Sequence, residues 1–459
     1  MAGREVIDRS RRPGPGPAPQ IRLPRFERFR LGNGLKVVAV RHGALPEISA
    51  RVVLKHGSTT DPAERAGTAL LTARALTEGT EGRSAGAVAE WLDQLGAVFR
   101  VDVDHDSAVL SLDFLSRVRD EALQFLAEVM TRPSFEAKEV ERLRDERLDE
   151  IARGLDEPRV VAALRWNEAN FGGHPYGMRT GGVEETVRRI DESVLRGFHA
   201  RHYRPASATL VIVGDLPELD RLKSRLETAF AAWSGEPTEP APVSEPQPAS
   251  SRRLWAIQWP GPQTEIRIGG LGIARLHAEY ATVLVMNAVL GGLFSSRINM
   301  NLREDKGWTY GAASRVDARK QRGPLYVATA VDAKASVDAV REILGEMERM
   351  KTEPPDEEEL GLAINALTLS LPRLFETVSQ VAGRVAHQVI YGLPDDYWET
   401  YAQQFRAVSR ADVQRAAERL LDTGSAAIVV VGPMRDFHAE LQSLGEVEIR
   451  DIRGRPASL

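Results

Sequence analysis

The chain has 459 residues, 42% of them hydrophobic and 27% charged, which is too long for one ordinary domain and apolar enough to bury real cores. Its net charge of −5, with both signs interspersed, creates no field that would draw nucleic acid or an anionic membrane, so neither is expected as a partner. Cysteine is absent, which excludes disulfides, thiolate metal sites and cysteine nucleophiles.

The first 25 residues lack the apolar run of a signal peptide, and the Pro/Gly-rich part of MAGREVIDRSRRPGPGPAPQ reads as a disordered arm. As written, the sequence points to the cytoplasm; a leader trimmed from a longer precursor would leave the same text. No other stretch reads as an uninterrupted membrane-length apolar run. A first domain is expected over 26–234. It opens on a hairpin, FRLGNGLKVVAV, around Asn33-Gly34, with ISARVVLKHG as the neighbouring strand. Helical spacing over 64–78 and 85–95 is followed by a strand pair, AVFRVDVDHDSAVLSLDF, turning at Asp104–Asp106, and by helices near 116–130, 136–153 and 158–170. A loop containing HPYG and two short helices lead to the apolar strand ATLVIVGD.

Residues 235–252 are dense in Pro, Ser and Glu and read as a linker. The second domain, 253–459, repeats the order: strands over 253–259 and 264–273, a helix over 277–290, strands over 308–317 and 324–332, then helices over 334–352, 356–371, 375–391 and 410–421. AAIVVVGP ends it as the counterpart of ATLVIVGD. The fold class is therefore α+β: a duplicated unit, each copy a mostly antiparallel sheet covered by helices on one face.

The segment GGLFSSRINMNLREDKGWTYG, residues 291–311, carries the most chemistry. Arg303 late in a helix and Tyr310 on the strand after it are spaced to meet on one face, and both can donate to a carbonyl acquiring negative charge. The competing reading pairs Arg303 with Glu304 or Asp305 and makes Tyr310 a core aromatic. Gly291 and Gly292 suit φ > 0 and close approach of an extended peptide, or a helix C-cap. Ser295 and Ser296 suit a helix cap better than a nucleophile, since no histidine or G-x-S-x-G elbow accompanies them. His199 and His202, three apart, lack a third metal ligand and read as packing residues. His56 reads as a strand end, His174 as a loop residue and His105 as solvated at its turn.

The pattern GG-x-x-SSR followed by LRE-x-x-G-x-x-YG, with HGS at 56–58, GTA at 67–69 and EGT at 78–80, resembles the pitrilysin/insulinase family of zinc peptidases from about Phe26 to Pro433. The resemblance implies two homologous domains facing each other across a cavity. It also implies an inverted zinc motif, H-x-x-E-H, whose three positions are held here by Leu70, Ala73 and Arg74. Leucine and alanine offer no lone pair and a guanidinium repels a cation, so no metal site and no cofactor is expected in this chain. Glu150 matches the family's remaining ligand and is read as a surface carboxylate or a partner for Arg74.

By the same resemblance, Arg303 and Tyr310 hold the substrate backbone and stabilise the oxyanion, and Gly291, Gly292, Ser295 and Ser296 line the substrate. The expectation is a non-catalytic subunit of a heteromeric metalloendopeptidase, with a homologous partner that carries H-x-x-E-H and zinc and a peptide substrate bound as an added strand. Alternatives are a structural core-like subunit, a stand-alone peptide-binding protein or a hydrolase with unrecognised ligands. Homodimer formation by the isolated chain stays open.

Overall fold

A computed structural model describes residues 25–238 and 242–459. The arm at 1–25, except Arg25, and residues 239–241 of the linker lie outside the described residues. The first half runs β1 (Phe26–Arg30), β2 (Lys36–Arg41), β3 (Glu47–Leu54), α1 (Thr68–Ala75), the small ribbon β4 (Gly79–Thr80) and β5 (Arg83–Ser84), α2 (Ala85–Leu95), β6 (Val98–Val103) and β7 (Ala108–Leu115). It continues with α3 (Arg119–Thr131), α4 (Ala137–Leu155), α5 (Pro158–Phe171), α6 (Glu184–Val187), α7 (Glu192–His202), β8 (Ala208–Gly214) and α8 (Leu219–Phe230). The second half runs β9 (Arg253–Gln258), β10 (Gln263–Leu271), α9 (Tyr280–Asn287), α10 (Arg297–Asn299), β11 (Ala312–Val316), β12 (Pro324–Asp332), α11 (Ser336–Thr352), α12 (Glu357–Leu369) and α13 (Val378–Tyr391). It ends with α14 (Tyr397–Arg406), α15 (Arg410–Leu420), β13 (Ala427–Gly432), α16 (Met434–Leu441) and β14 (Val447–Arg450). Helices α8, α14 and α16, the ribbon β4–β5 and strand β14 escaped the sequence reading.

Each half builds a six-stranded sheet, ordered β1-β2-β8-β3-β7-β6 and β11-β12-β10-β13-β9-β14. Read from the opposite edge, the second order is the first with β14 standing where β1 stands, so the duplication extends to sheet topology. The hairpin strand β1 pairs antiparallel with β2, whereas β14 arrives from the chain end and pairs parallel with β9. Apart from the parallel pairs β2–β8, β13–β9 and β14–β9, the ladders are antiparallel. One expectation is corrected here: β3 is not the neighbour of β2, because β8 inserts between them. All seven residues of β8 are buried, and a strand apolar on both sides gains most at a sheet centre.

The expectation of helices on one face also fails, and the reason fixes how the halves are joined. In β2 and β8, Val37, Ala39, Leu210 and Ile212 face one core, while Val38, Val40, Val211 and Val213 face another. That second core is completed by α13, from the other half, through Val378, Val381, Ala382 and Val385. Reciprocally, α5 of the first half lays Val161, Ala162 and Trp166 against Trp255, Ile257, Val429 and Val431 of the second sheet. The Trp166 indole donates to the Ala427 carbonyl at 2.9 Å. Each half thus lends one helix to the outer face of the other's sheet.

The β6–β7 turn adds a polar lock. Asp106, buried, accepts the Tyr176 hydroxyl at 2.8 Å and the backbone N–H of Lys320 at 2.8 Å. His105 is not solvated as expected: its ring shares a hydrogen bond with the Met178 carbonyl at 3.1 Å and packs edge-on against Tyr176. Burial, then the nearby Arg319 cation, push its pKa down to about 4. His174 sits in the loop as expected, accepting the Tyr176 N–H at 3.0 Å.

One expectation about membranes needs amending. Tyr280–Asp305 has the length and mean hydropathy, 1.4, of a membrane span. Its most apolar window is 61% buried in the protein, and Leu293–Ser296 interrupt its helical turns. It serves as a core element of the second half.

Candidate functional site

Helix α1 starts where the family zinc motif is expected. Gly67 at its N-cap has φ 104°, a conformation that favours glycine. The Asp61 carboxylate accepts the N–H groups of Gly67 and Ala69 at 2.7 and 2.8 Å, satisfying the helix start. The first turns then carry Leu70, partly buried against the first core, and Ala73, fully buried within it. Arg74, one turn on from Leu70, reaches α4, where its Nη1 lies 2.9 Å from Oε1 of Glu150.

Of the two readings of Glu150, the structure selects the partner of Arg74. A third group, missed in the sequence, completes the arrangement. Arg147, three residues earlier on the same helix, binds the other Glu150 oxygen at 2.7 Å and donates through Nε to the Gly181 carbonyl at 2.8 Å. Burial works to raise the Glu150 pKa, but the Arg147 and Arg74 guanidiniums outweigh it and hold the carboxyl below its usual range. The residues do not fit a zinc ion: two positions are aliphatic, and the remaining carboxylate is spoken for by two cations. The i−3 spacing of Arg147 to Glu150 is the signal that would have exposed it.

Glu150→Ala should therefore be costly for an apparent surface substitution. Arg147 is 7% exposed and Glu150 35% exposed, and the change leaves Arg147 and Arg74 facing each other without a counter-charge. Discounted for solvent at Glu150, a loss of about 2 kcal/mol in unfolding free energy is expected. Urea unfolding checks it, and a loss under about 0.5 kcal/mol would remove the carboxylate from any structural role.

In the second half, α9 passes into a π-helical turn, Ala288–Gly292. Neither Gly291 nor Gly292 adopts φ > 0, correcting that expectation. Close approach does hold, though toward the chain itself: a Cβ on Gly291 would lie 2.6 Å from the Ser314 nitrogen of β11. Ser296 occupies the N-cap of α10, but its hydroxyl turns back to the Leu293 carbonyl at 2.5 Å, while Ser295 is exposed. The arginine of the SSR motif, Arg297, is structural, gripping Glu359 through two bonds of 2.7 and 2.8 Å.

Arg303 lies in a second π-helical turn, Met300–Asp305. Its guanidinium carbon stands 4.3 Å from the Phe294 ring centroid, and its Nε is 3.4 Å from Glu304. Tyr310 is not on a strand. It sits in the loop before β11 and is 91% exposed. No hydrogen bond or cation–π contact joins it to Arg303 among the described residues. The loop is nonetheless firmly tied: Trp308 exchanges backbone bonds with Leu302 and Asp332 at 3.0 and 2.9 Å, and Thr309 Oγ1 donates to the Ala330 carbonyl at 2.7 Å. An ordered loop holding an exposed phenol outward is the geometry of a residue that acts on something outside its own core.

The histidines fill packing roles. His199 bonds the Met130 carbonyl at 3.0 Å and stacks on Tyr203, whereas His202 packs against His56, with ring centroids 4.7 Å apart. No group of three or more His, Cys, Asp or Glu is placed to hold a metal among the described residues.

Comparison with known proteins gives the family. Residues 36–182 match the insulinase family (peptidase family M16), and residues 189–367 match the peptidase M16 inactive domain. An uncharacterised zinc protease of Mycobacterium tuberculosis is 26% identical over 425 residues, covering 91% of this chain and 96% of its own length. A non-peptidase homolog of Helicobacter pylori is 24% identical over 82% of this chain and 87% of its own. The crystal structure of a peptidase M16 inactive domain from Pseudomonas fluorescens superposes with a TM-score of 0.83 at 28% identity, covering 89% of this chain and 98% of that one. A protease structure from H. pylori, 20% identical over 90% of this chain and all of its own, gives a TM-score of 0.84 and supports the fold. The chain belongs to the M16 peptidase family, as an inactive member.

Proposed function

We propose that this chain is the substrate-binding, non-catalytic subunit of a heteromeric zinc metalloendopeptidase. Arg303 and Tyr310 are the groups it supplies to a homologous partner that carries H-x-x-E-H. The observation that carries the reading is Tyr310, 91% exposed on an anchored loop, in a chain whose own zinc positions are closed by an ion pair. Exposure without an internal partner is of no use to folding, since the ring then buries no area. It suits a donor that completes a site formed with another subunit.

In this reading zinc and the activated water belong to the partner. Tyr310 donates its phenolic proton to the oxyanion of the peptide under attack, and Arg303 holds the substrate backbone. Gly291, Gly292, Ser295 and Ser296 border the same segment. The peptide lies as an extended strand, which selects unfolded segments.

Co-purification from the native source tests the proposal, with peptidase assays of the chain alone and with its companion, each with and without a chelator. A companion containing H-x-x-E-H and chelator-sensitive hydrolysis in the mixture alone is the expected result. Full hydrolysis by either chain by itself, or an assembly with no such companion, would overturn it and move the weight to a structural or peptide-binding role.

A further inference from the structure

Phe294 is a phenylalanine 63% exposed, in a segment that also exposes Tyr310 and Met300. Its neighbours hold it in that position. The Ser296 hydroxyl bonds the Leu293 carbonyl at 2.5 Å, and the Asn299 amide donates to the Phe294 carbonyl itself at 2.6 Å. Asn299 is buried, and its other atom accepts the Ala312 N–H of β11 at 3.1 Å. The backbone under Phe294 is therefore tied to the same strand that follows Tyr310.

The Arg303 guanidinium carbon lies over the ring's face, 4.3 Å from its centroid. Stacking occupies the flat face of a guanidinium and leaves its in-plane N–H groups free to reach a carbonyl. Among the described residues only Nε has a carboxylate partner, Glu304 at 3.4 Å. The rest of the ring faces solvent, where an aromatic surface of this size gains by being covered.

We infer that Phe294 is a specificity-determining residue: its ring fixes the Arg303 guanidinium on one face and offers the remaining surface to an apolar side chain of the bound peptide. The inference rests on the proposed substrate-binding role and adds to it the class of peptide preferred, one with a large aliphatic or aromatic residue beside the backbone held by Arg303. Gly291, Ser295 and Ser296 provide no comparable apolar surface.

The test uses the full chain and two labelled, glycine-rich peptides, identical except for one Leu or one Ser, whose flexible register lets that residue find the ring. Binding is followed by fluorescence anisotropy. The wild-type chain is expected to prefer the Leu peptide roughly tenfold, the gain from covering most of one such side chain. Phe294→Ala should bring the preference to within about twofold, and Phe294→Leu, which keeps an apolar surface, should retain most of it. Equal binding of both peptides by the wild type, or an unchanged preference in Phe294→Ala, would overturn this inference and leave the substrate-binding reading intact. Failure of the chain to bind either peptide would overturn both.

Discussion

Replacing Tyr310 by Phe is expected to lower kcat about 10²-fold in the assembled peptidase, with KM nearly unchanged. Removing one donor to a developing oxyanion typically costs that much, because the bond exists in the transition state and hardly in the ground state. The structure makes the substitution unusually clean. Among the described residues the Tyr310 phenol makes no hydrogen bond, and the residue is 91% exposed, so losing the hydroxyl leaves nothing unsatisfied. Stability should stay within about 0.5 kcal/mol of the parent. A fall in kcat can then be assigned to the chemistry. Steady-state kinetics on the mixed subunits supply the measurement, and an unchanged kcat would remove Tyr310 as an oxyanion donor.

Trp166→Ala should have the largest effect on stability, a loss of about 4 kcal/mol. Trp166 is 1% exposed on α5 and lies among Trp255, Val429 and Val431 of the other half. Truncating a buried tryptophan typically costs roughly 3–5 kcal/mol, since the lost burial and the residual cavity add. Its indole bond to the Ala427 carbonyl is lost as well. The damage falls on the contact joining the halves, so the two halves should also unfold in separate transitions. Chemical denaturation followed by two probes, one per half, measures both. A change below about 1 kcal/mol with coincident transitions would mean that α13 and the Asp106–Tyr176–Lys320 lock hold the halves without α5.

The site was readable to different depths at its two ends. At Leu70, Ala73 and Arg74 residue type alone decides the chemistry, because no conformation gives an aliphatic side chain a lone pair to donate. Glu150 was legible only as a choice between solvent and Arg74. The answer depended on α1 and α4 being packed together, with Arg147 closing the other side. At Arg303 and Tyr310 the motif located the residues but not their state. The expected strand starts only at Ala312, because the Trp308 N–H turns back to Leu302 and the Thr309 hydroxyl takes the Ala330 carbonyl of β12. Phe294 was invisible in advance, since nothing in a lone phenylalanine says that it will be exposed.

By itself the sequence determined the periodicities, the duplication and the side-chain chemistry at Leu70, Ala73 and Arg74, all of which are local: they depend on spacing along the chain and on the chemistry of single side chains. Only the tertiary structure decided that β8 separates β2 from β3, that α5 and α13 are exchanged between the halves, and which partners Glu150 and Arg303 take. Those outcomes come from residues up to hundreds of positions apart competing to bury the same surface. Valines on both faces of β2 and β8 announce that two layers must cover them, and packing chooses which helices do so.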